Sequence, residues 1–504
     1  MIRKITMLTI AGCIALVFAT GAFASNGTQI GTVGARSTAM GSNFRGLADD
    51  WSAVFFNPAG LTQLEGTTIG ISGGIIAPRG SYDAYAYPAY PFPGMNTESV
   101  DAAKKNFFVP ALGIFFKLSD AVTAGLGFYA PFGLGTDWDL IDIPAGYGNA
   151  TGISKDNEHY SDHQVINIQP TVAFKLSDKI SLGLGASYIW GKMDLDMVKL
   201  AVNPFAAAWA QLSAGLALAG ITAPPYNDAH NRIPVENQLA GDGSAFGFNF
   251  GLLFDISDKL SFGISGRYCT DLKLKGNITQ TFIYPSDPTY ATFVTNLPDI
   301  VFASAEDPTG AASKAALLQG LATVFNGQNV PSLQDADAEV DFPLPMTIGA
   351  GLAYKASPCF TITADVSMTQ WSVWDALTIV IPGEEDLPME LKWKNTFEMG
   401  FGFEWMAADN FFLRGGFYTV NTPADDAYMS PTILDPNRRN TITGGIGLNL
   451  GAVALNACFE YVLFGEKDIT TYEHIDAETG IPENYAGIYN FNAMVITVGS
   501  TITL

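Results

Sequence analysis

His159 and His163, in the stretch HYSDH, are close enough in the chain to suggest a pair of metal ligands. At strand spacing, however, both side chains face one way at a solvated rim, and no metal is expected there. His230 and His474 fall in predicted loops, no histidine stands in a nucleophile motif, and no Ser-His pair supports an esterase. Gly183 and Gly185 belong to an alternating GLGLGAS that lacks the strand-to-helix context of a phosphate loop. Cys269, Cys359 and Cys458 form an odd set without close pairs, which argues against disulfides and zinc. Each lies in a strand-like stretch and reads as a small buried side chain. These residues predict no enzyme, no cofactor and no metal.

The arginines offer a different chemistry. A guanidinium clamps a carboxylate through two parallel hydrogen bonds, which makes Arg267 and Arg414 candidates for holding a ligand head group. The elements that carry them read as strands with two unlike faces. Phe397, Met399, Phe401, Phe403 and Trp405 alternate with Thr396, Glu398, Gly400, Gly402 and Glu404, and residues 166–174 and 246–254 repeat the pattern. One face suits lipid and the other a polar lumen. By this alternation Arg267, Asp365, Glu398, Glu404, Arg414 and Glu460 face the lumen, because a basic side chain facing lipid at midplane costs about 2–4 kcal/mol.

A repeated unit links the strands. It is seen in FKLSDAVTAGLGF, FKLSDKISLGLGASY, FDISDKLSFGISGRY, YKASPCFTITADVS and WMAADNFFLRGGFY. Each is a strand end, a short polar turn and a new strand. The aromatics before the turns, Phe116, Phe174, Phe254, Tyr354 and Trp405, fall at one height, as an interfacial girdle requires. Strands are expected near 66–78, 106–118, 121–133, 160–176, 180–196, 244–256, 259–276, 339–355, 359–381, 391–406, 410–420, 439–450, 452–466 and 487–504. Short turns follow the even-numbered strands and belong in the periplasm. Long connections, above all 197–243 and 277–338, belong outside.

Composition agrees. The chain is 48% hydrophobic but only 15% charged, and no run of about 18 apolar residues follows the N-terminus, so helical spans are not expected. A net charge of −23 excludes a basic nucleic-acid face and fits acidic external loops. Arg3, Lys4, an apolar segment and Ala22-Phe23-Ala24 predict a signal peptide over residues 1–24 and a mature start at Ser25. Ile10-Ala11-Gly12-Cys13 supplies the rival reading, lipidation at Cys13. The expected fold is all-β: a transmembrane antiparallel β-barrel of about 14 strands over 66–504 in the bacterial outer membrane. Short helices sit in its long extracellular loops. Such a wide barrel leaks unless it is filled, and residues 25–65 are the expected plug.

Three stretches carry a family resemblance. They are GTVGARSTAMGSNFRGLADDWSAVFFNPAGL, FPLPMTIGAGLAYKASPCFTITADVSMTQWSVWD, and NTFEMGFGFEWMAADNFFLRGGFY followed by SPTILDPNRRN. With them the chain resembles the FadL and TodX-like outer-membrane transporters of long-chain fatty acids and other hydrophobic compounds, over nearly its whole mature length. It departs from them in ending at Leu504 rather than at an aromatic. The resemblance implies an N-terminal hatch with its Asn57, Pro58 and Ala59 element. It also implies ligand capture by the external loops, here a helix from Phe205 through Trp209 to Ile221 after Pro204, and another from Ser313 to Phe325 with Leu317 and Leu318. The resemblance further implies lateral release through a kink in the third strand, for which Pro131 and Gly133 are the matching positions.

On this reading Pro58 and Gly60 break regular structure so that the segment folds inside the barrel. Trp51, Phe55 and Phe56 offer a ligand an apolar floor, while Arg36, Arg45, Asp49 and Asp50 pair with lumenal charges. The expected function is passive transport of a hydrophobic small molecule by a monomer surrounded by outer-membrane lipid. A general porin for polar solutes and a structural or surface-interaction barrel stand as alternatives. The residues do not choose among fatty acids, aromatics and alkanes.

Overall fold

The computed structural model describes residues 27–31, 33–86, 99–140, 159–203, 205–384, 386–430, 432–475, 482 and 484–504. The export segment, Ser25 and Pro204 lie outside the described residues. The wall consists of β1 Thr67–Ala84, β2 Phe107–Ser119, β3 Val122–Trp138, β4 His159–Ser177, β5 Ile180–Val202, β6 Arg232–Ser257 and β7 Leu260–Cys269. It continues with β8 Thr347–Ser357, β9 Phe360–Thr369, β10 Thr396–Ala408, β11 Phe411–Val420, β12 Arg439–Asn449, β13 Val453–Ile469 and β14 Gly487–Thr503. Each pairs antiparallel with the next, and β1 pairs with β14 from Thr68↔Thr503 to Ala84↔Gly487, so the 14-stranded sheet closes. Closure pairs the backbone groups that lipid cannot solvate.

The alternation sorts the two faces. On β10, Phe397, Met399 and Phe401 are exposed to the outside, while Gly402 backs onto Met40 of the N-terminal segment. Phe116, Tyr354 and Trp405 mark one edge of the outer apolar band; Tyr188, Trp190, Phe246 and Tyr268 mark the other. Past Trp190 the outward positions on β5 become Lys192 and Asp194, which places them beyond the membrane. The six short turns follow β2, β4, β6, β8, β10 and β12.

Inside the wall, the segment before β1 forms α1 Ala35–Ala39, α2 Ala53–Phe56 and a 3-10 turn Pro58–Gln63. Outside it, the connections are α3 Phe205–Leu218, α4 Thr289–Thr295, α5 Ala311–Val324 and several strand extensions. The strand Leu272–Ile283 pairs with both Asn329–Phe342 and the upper part of β6, so much of 197–243 and 277–338 is ladder rather than loop. A strand leaving the membrane still carries paired donors and acceptors, and continuing beside its neighbour satisfies them. Cys359 corrects a further expectation: it is exposed in the turn between β8 and β9, whereas Cys269 and Cys458 are buried in strands.

Candidate functional site

The N-terminal segment has little regular structure, so its backbone needs partners at membrane depth. The wall supplies them. Ser261 Oγ donates to the Gly46 carbonyl (2.6 Å), Ser265 Oγ to Phe56 (2.6 Å), Gln169 Nε2 to Val54 (2.9 Å) and Thr443 Oγ1 to Ala39 (2.9 Å). Asn57 is the hinge of this arrangement. Its Oδ1 accepts from Ala59 N–H, capping the 3-10 turn, while its Nδ2 donates to the Arg45 and Leu252 carbonyls (2.9 and 3.0 Å). Pro58 occupies the first turn, where its missing N–H costs nothing. The wall glycines opposite are dictated by contact: a Cβ on Gly183 would lie 2.2 Å from the Pro58 carbonyl carbon. Gly60 likewise has no space for a side chain, with the Ala48 oxygen 2.0 Å from the position of a Cβ. Val33, Met40, Phe44, Leu47, Val54 and Leu61 form a buried core with Phe115 and Tyr129 of the wall. Burying each such side chain is worth roughly 1.5–3 kcal/mol.

The charges settle into pairs. Arg36 meets Asp49 at 2.5 Å, Asp50 at 3.4 Å and Glu404 at 2.8 Å. Asp49 and Asp50 therefore neutralise an arginine of their own segment, not one of the wall as expected. The links to the wall run through Arg36–Glu404 and through Arg45–Asp365 (3.2 Å). Arg414 is also occupied, donating to Glu404 (2.6 Å) and Asn456 (2.9 Å). Arg439 pairs with Asp435 at 2.5 Å. Arg267 differs: among the described residues it has no carboxylate partner, and its buried Nε and Nη1 make no hydrogen bond. Its guanidinium lies 4.4 Å above the Phe55 ring, a cation–π contact that leaves the N–H edge available.

Phe55 and Phe56 line a cavity of about 20 Å³ together with Gln29, Arg45, Ser367, Glu398 and Tyr418. It has room for a water molecule but not for an alkyl chain. Trp51 is not at this floor. It lies flat against the wall, where a Cβ on Gly70 would come within 2.0 Å of its ring. Above Phe55 the barrel interior is mainly apolar, with Phe132, Trp138, Val165, Met193, Phe342, Trp371 and Trp374 all buried in one cluster. His159 and His163 overturn the solvated-rim expectation: they are 1% and 2% exposed and face this interior, because their strand continues above the membrane as part of a filled tube. Burial pushes both imidazoles down, His159 to about 4 and His163 to about 3, so both are neutral.

The wall is incomplete between β2 and β3. Their ladder ends at Ala111↔Tyr129, and β3 shifts register against β4 between Tyr129 and Phe132, at the Pro131 position. The freed edge of β3 pairs instead with the N-terminal segment: Ile30 N–H donates to Pro131 O (2.9 Å) and Gly133 N–H to Thr28 O (2.8 Å). Higher up, Lys105 and Asp137 pair at 2.6 Å across the same gap. The strand alternation did not reveal this use of residues 28–30, since a three-residue pairing is too short to leave a period.

The external helices pack on one another. Trp209, Tyr290, Val294, Leu321 and Phe325 are buried together, with Phe205, Leu317 and Leu318 partly buried against them. His230 joins the two loops through Asp287 (3.1 Å). Trp209 is thus core to the loop cluster rather than surface, while Leu218 and Ile300 stand exposed.

A family model described as "Outer membrane protein transport protein (OMPP1/FadL/TodX)" matches residues 14–504. The chain is similar to the long-chain fatty acid transport protein of Salmonella typhi, 22% identical over 406 residues, covering 80% of each chain. It shares its fold with a FadL homologue from Pseudomonas aeruginosa (TM-score 0.69, 17% identity, 95% of this chain and 99% of that one). It also shares it with the toluene transporter TodX of Pseudomonas putida (TM-score 0.63, 15% identity, 94% and 98%).

Proposed function

Because the chain belongs to the OMPP1/FadL/TodX family of outer-membrane transporters of hydrophobic compounds, which are not enzymes, we propose that it carries amphipathic molecules, long-chain fatty acids above all, passively inward. The observation that carries this reading is Arg267, a guanidinium without a carboxylate partner among the described residues, beside Phe55 in a mainly apolar interior. A fatty acid complements both features. Its tail gains roughly 0.8 kcal/mol per buried methylene, and its carboxylate fits the free N–H edge. Ligand docks on the α3 and α5 loops, with Phe205, Leu317 and Leu318 as contacts, and descends through the aromatic interior toward Phe55 and Phe56. Since the cavity there admits only water, residues 25–65, acting as a hatch, must shift to seat the ligand.

Release is assigned to the gap between β2 and β3, where the Pro131 bulge and Gly133 leave the strand edge paired to residues 28–30 rather than to β2. Displacing that short pairing opens the wall sideways to the membrane. A general porin is disfavoured by the buried core that the N-terminal segment makes across the lumen.

The test is fatty-acid binding to purified protein in detergent, comparing the wild type with Arg267→Ala. A charge-assisted hydrogen bond is worth about 1.5–3 kcal/mol, so affinity should fall roughly 10- to 100-fold. Unchanged affinity for the acid would remove Arg267 from the site.

A further inference from the structure

Five side chains on the inner face of β4 are polar although the cluster they border is apolar: His159, Ser161, His163, Asn167 and Gln169 are each at most 2% exposed. Two are satisfied and a third is half so. Ser161 donates to the Thr432 carbonyl (2.7 Å), Gln169 to Val54, and His159 Nε2 lies 3.4 Å from the Tyr485 hydroxyl while its Nδ1 has no partner among the described residues. The other two lack more. Among the described residues neither ring nitrogen of His163 has a hydrogen-bond partner, and Asn167 Oδ1 has none either. His163 rests against the Phe342 ring at 4.4 Å, between Val165, Met193 and the Trp374 group. Buried polar atoms are nearly always hydrogen-bonded, and leaving a donor and an acceptor unmade in apolar surroundings costs stability. A side chain kept in that condition on a transport route suits a passing partner better than a permanent one.

We propose that His163, with Asn167 about 13 Å below it on the same face, forms a hydrogen-bonding subsite for the neutral polar head of an amphipathic ligand: a hydroxyl or an undissociated carboxyl group. A neutral imidazole presents one acceptor and one donor, which match the O–H and the oxygen of such a head. A carboxylate entering this interior is desolvated, which favours its protonated form, so a fatty acid meets His163 as an acid and reaches Arg267 afterwards. The subsite gives the route a preference that an apolar tube lacks, for molecules with a polar end over plain hydrocarbons. The inference rests on the transport reading above and narrows its ligand class.

The experiment measures uptake of a long-chain primary alcohol and of the alkane of equal length into liposomes containing the full-length protein, for the wild type, His163→Phe and His163→Gln. The expected result is a roughly five- to tenfold loss of alcohol uptake in His163→Phe, alkane uptake unchanged or raised, and substantial recovery of alcohol uptake in His163→Gln. Equal effects on both ligands, or on neither, overturn the subsite and assign His163 to packing or to an ordered water. A wild type that carries neither ligand refutes the transport reading itself, which is a separate outcome. Should His163→Phe fail to assemble, as judged by heat-modified electrophoretic mobility, Asn167→Val is read against the same two ligands.

Discussion

Arg36 donates from Nε and Nη2 to the two carboxylate oxygens of Glu404, each at 2.8 Å, and so fastens the first helix of the N-terminal segment to the tenth wall strand. The same guanidinium also holds Asp49. One side chain thereby neutralises acids from both the segment and the wall.

Removing it should free the segment before it harms the barrel. Arg36→Ala strands Asp49 and Asp50 in a partly buried site, and breaking such a pair costs about 3 kcal/mol or more. The wall ladders are untouched, so heat-modified mobility should persist. Hydrogen exchange over residues 33–64 should quicken, and ion conductance in planar bilayers should rise. Conductance equal to wild type would show that Arg36 does not keep the lumen closed.

Phe55 and Trp51 should separate ligand contact from stability. Phe55→Ala removes a half-buried ring at the cavity and should weaken binding of apolar ligands severalfold with little loss of stability. Trp51→Ala empties a buried slot against Gly70 and Gly113 and should cost about 3–5 kcal/mol. Denaturant unfolding and ligand titration of both variants check this; a Trp51 variant of wild-type stability would contradict the packing described.

Deleting Pro131 should mend the wall. β3 spends one extra residue between Tyr129 and Phe132 relative to β4, so a single deletion restores the alternation and lets β2 and β3 pair further. Uptake of hydrophobic cargo should drop at least several-fold while binding to detergent-solubilised protein is retained. Loss of binding together with uptake would point away from lateral release.

Above the membrane, Glu236 and Asp196 make the upper β5–β6 ladder pH-dependent. Burial pushes Glu236 up to about 7 and Asp196 up to about 6, with the Asp196 charge adding to the effect on Glu236. Both pKa values are raised over ordinary carboxyls, so the folded ladder holds protons that the opened one releases. Local stability is therefore full at acid pH and declines as pH rises from about 4 towards 7. Hydrogen exchange of residues 195–200 and 234–240 should quicken over that window, and Glu236→Gln should flatten the trend. A ladder equally protected at pH 5 and pH 8 would contradict it.

Much of this was legible in the sequence, because a barrel wall faces two solvents and writes their difference into every second residue. Alternation located the fourteen strands, the side of the wall for Arg267, Asp365, Glu404 and Arg414, and the aromatic edge of the membrane band beside the short turns. Pro58 and Gly60 announced a segment that could not join the wall. Partnership left no such period. That Asp49 and Asp50 answer Arg36, that Arg414 is taken by Glu404 while Arg267 has no carboxylate partner among the described residues, and that Trp51 lies on Gly70 depend on which irregular backbone comes to rest beside which strand. The same holds for His163: alternation shows which way it faces, but only the filled interior above the membrane makes that direction dry.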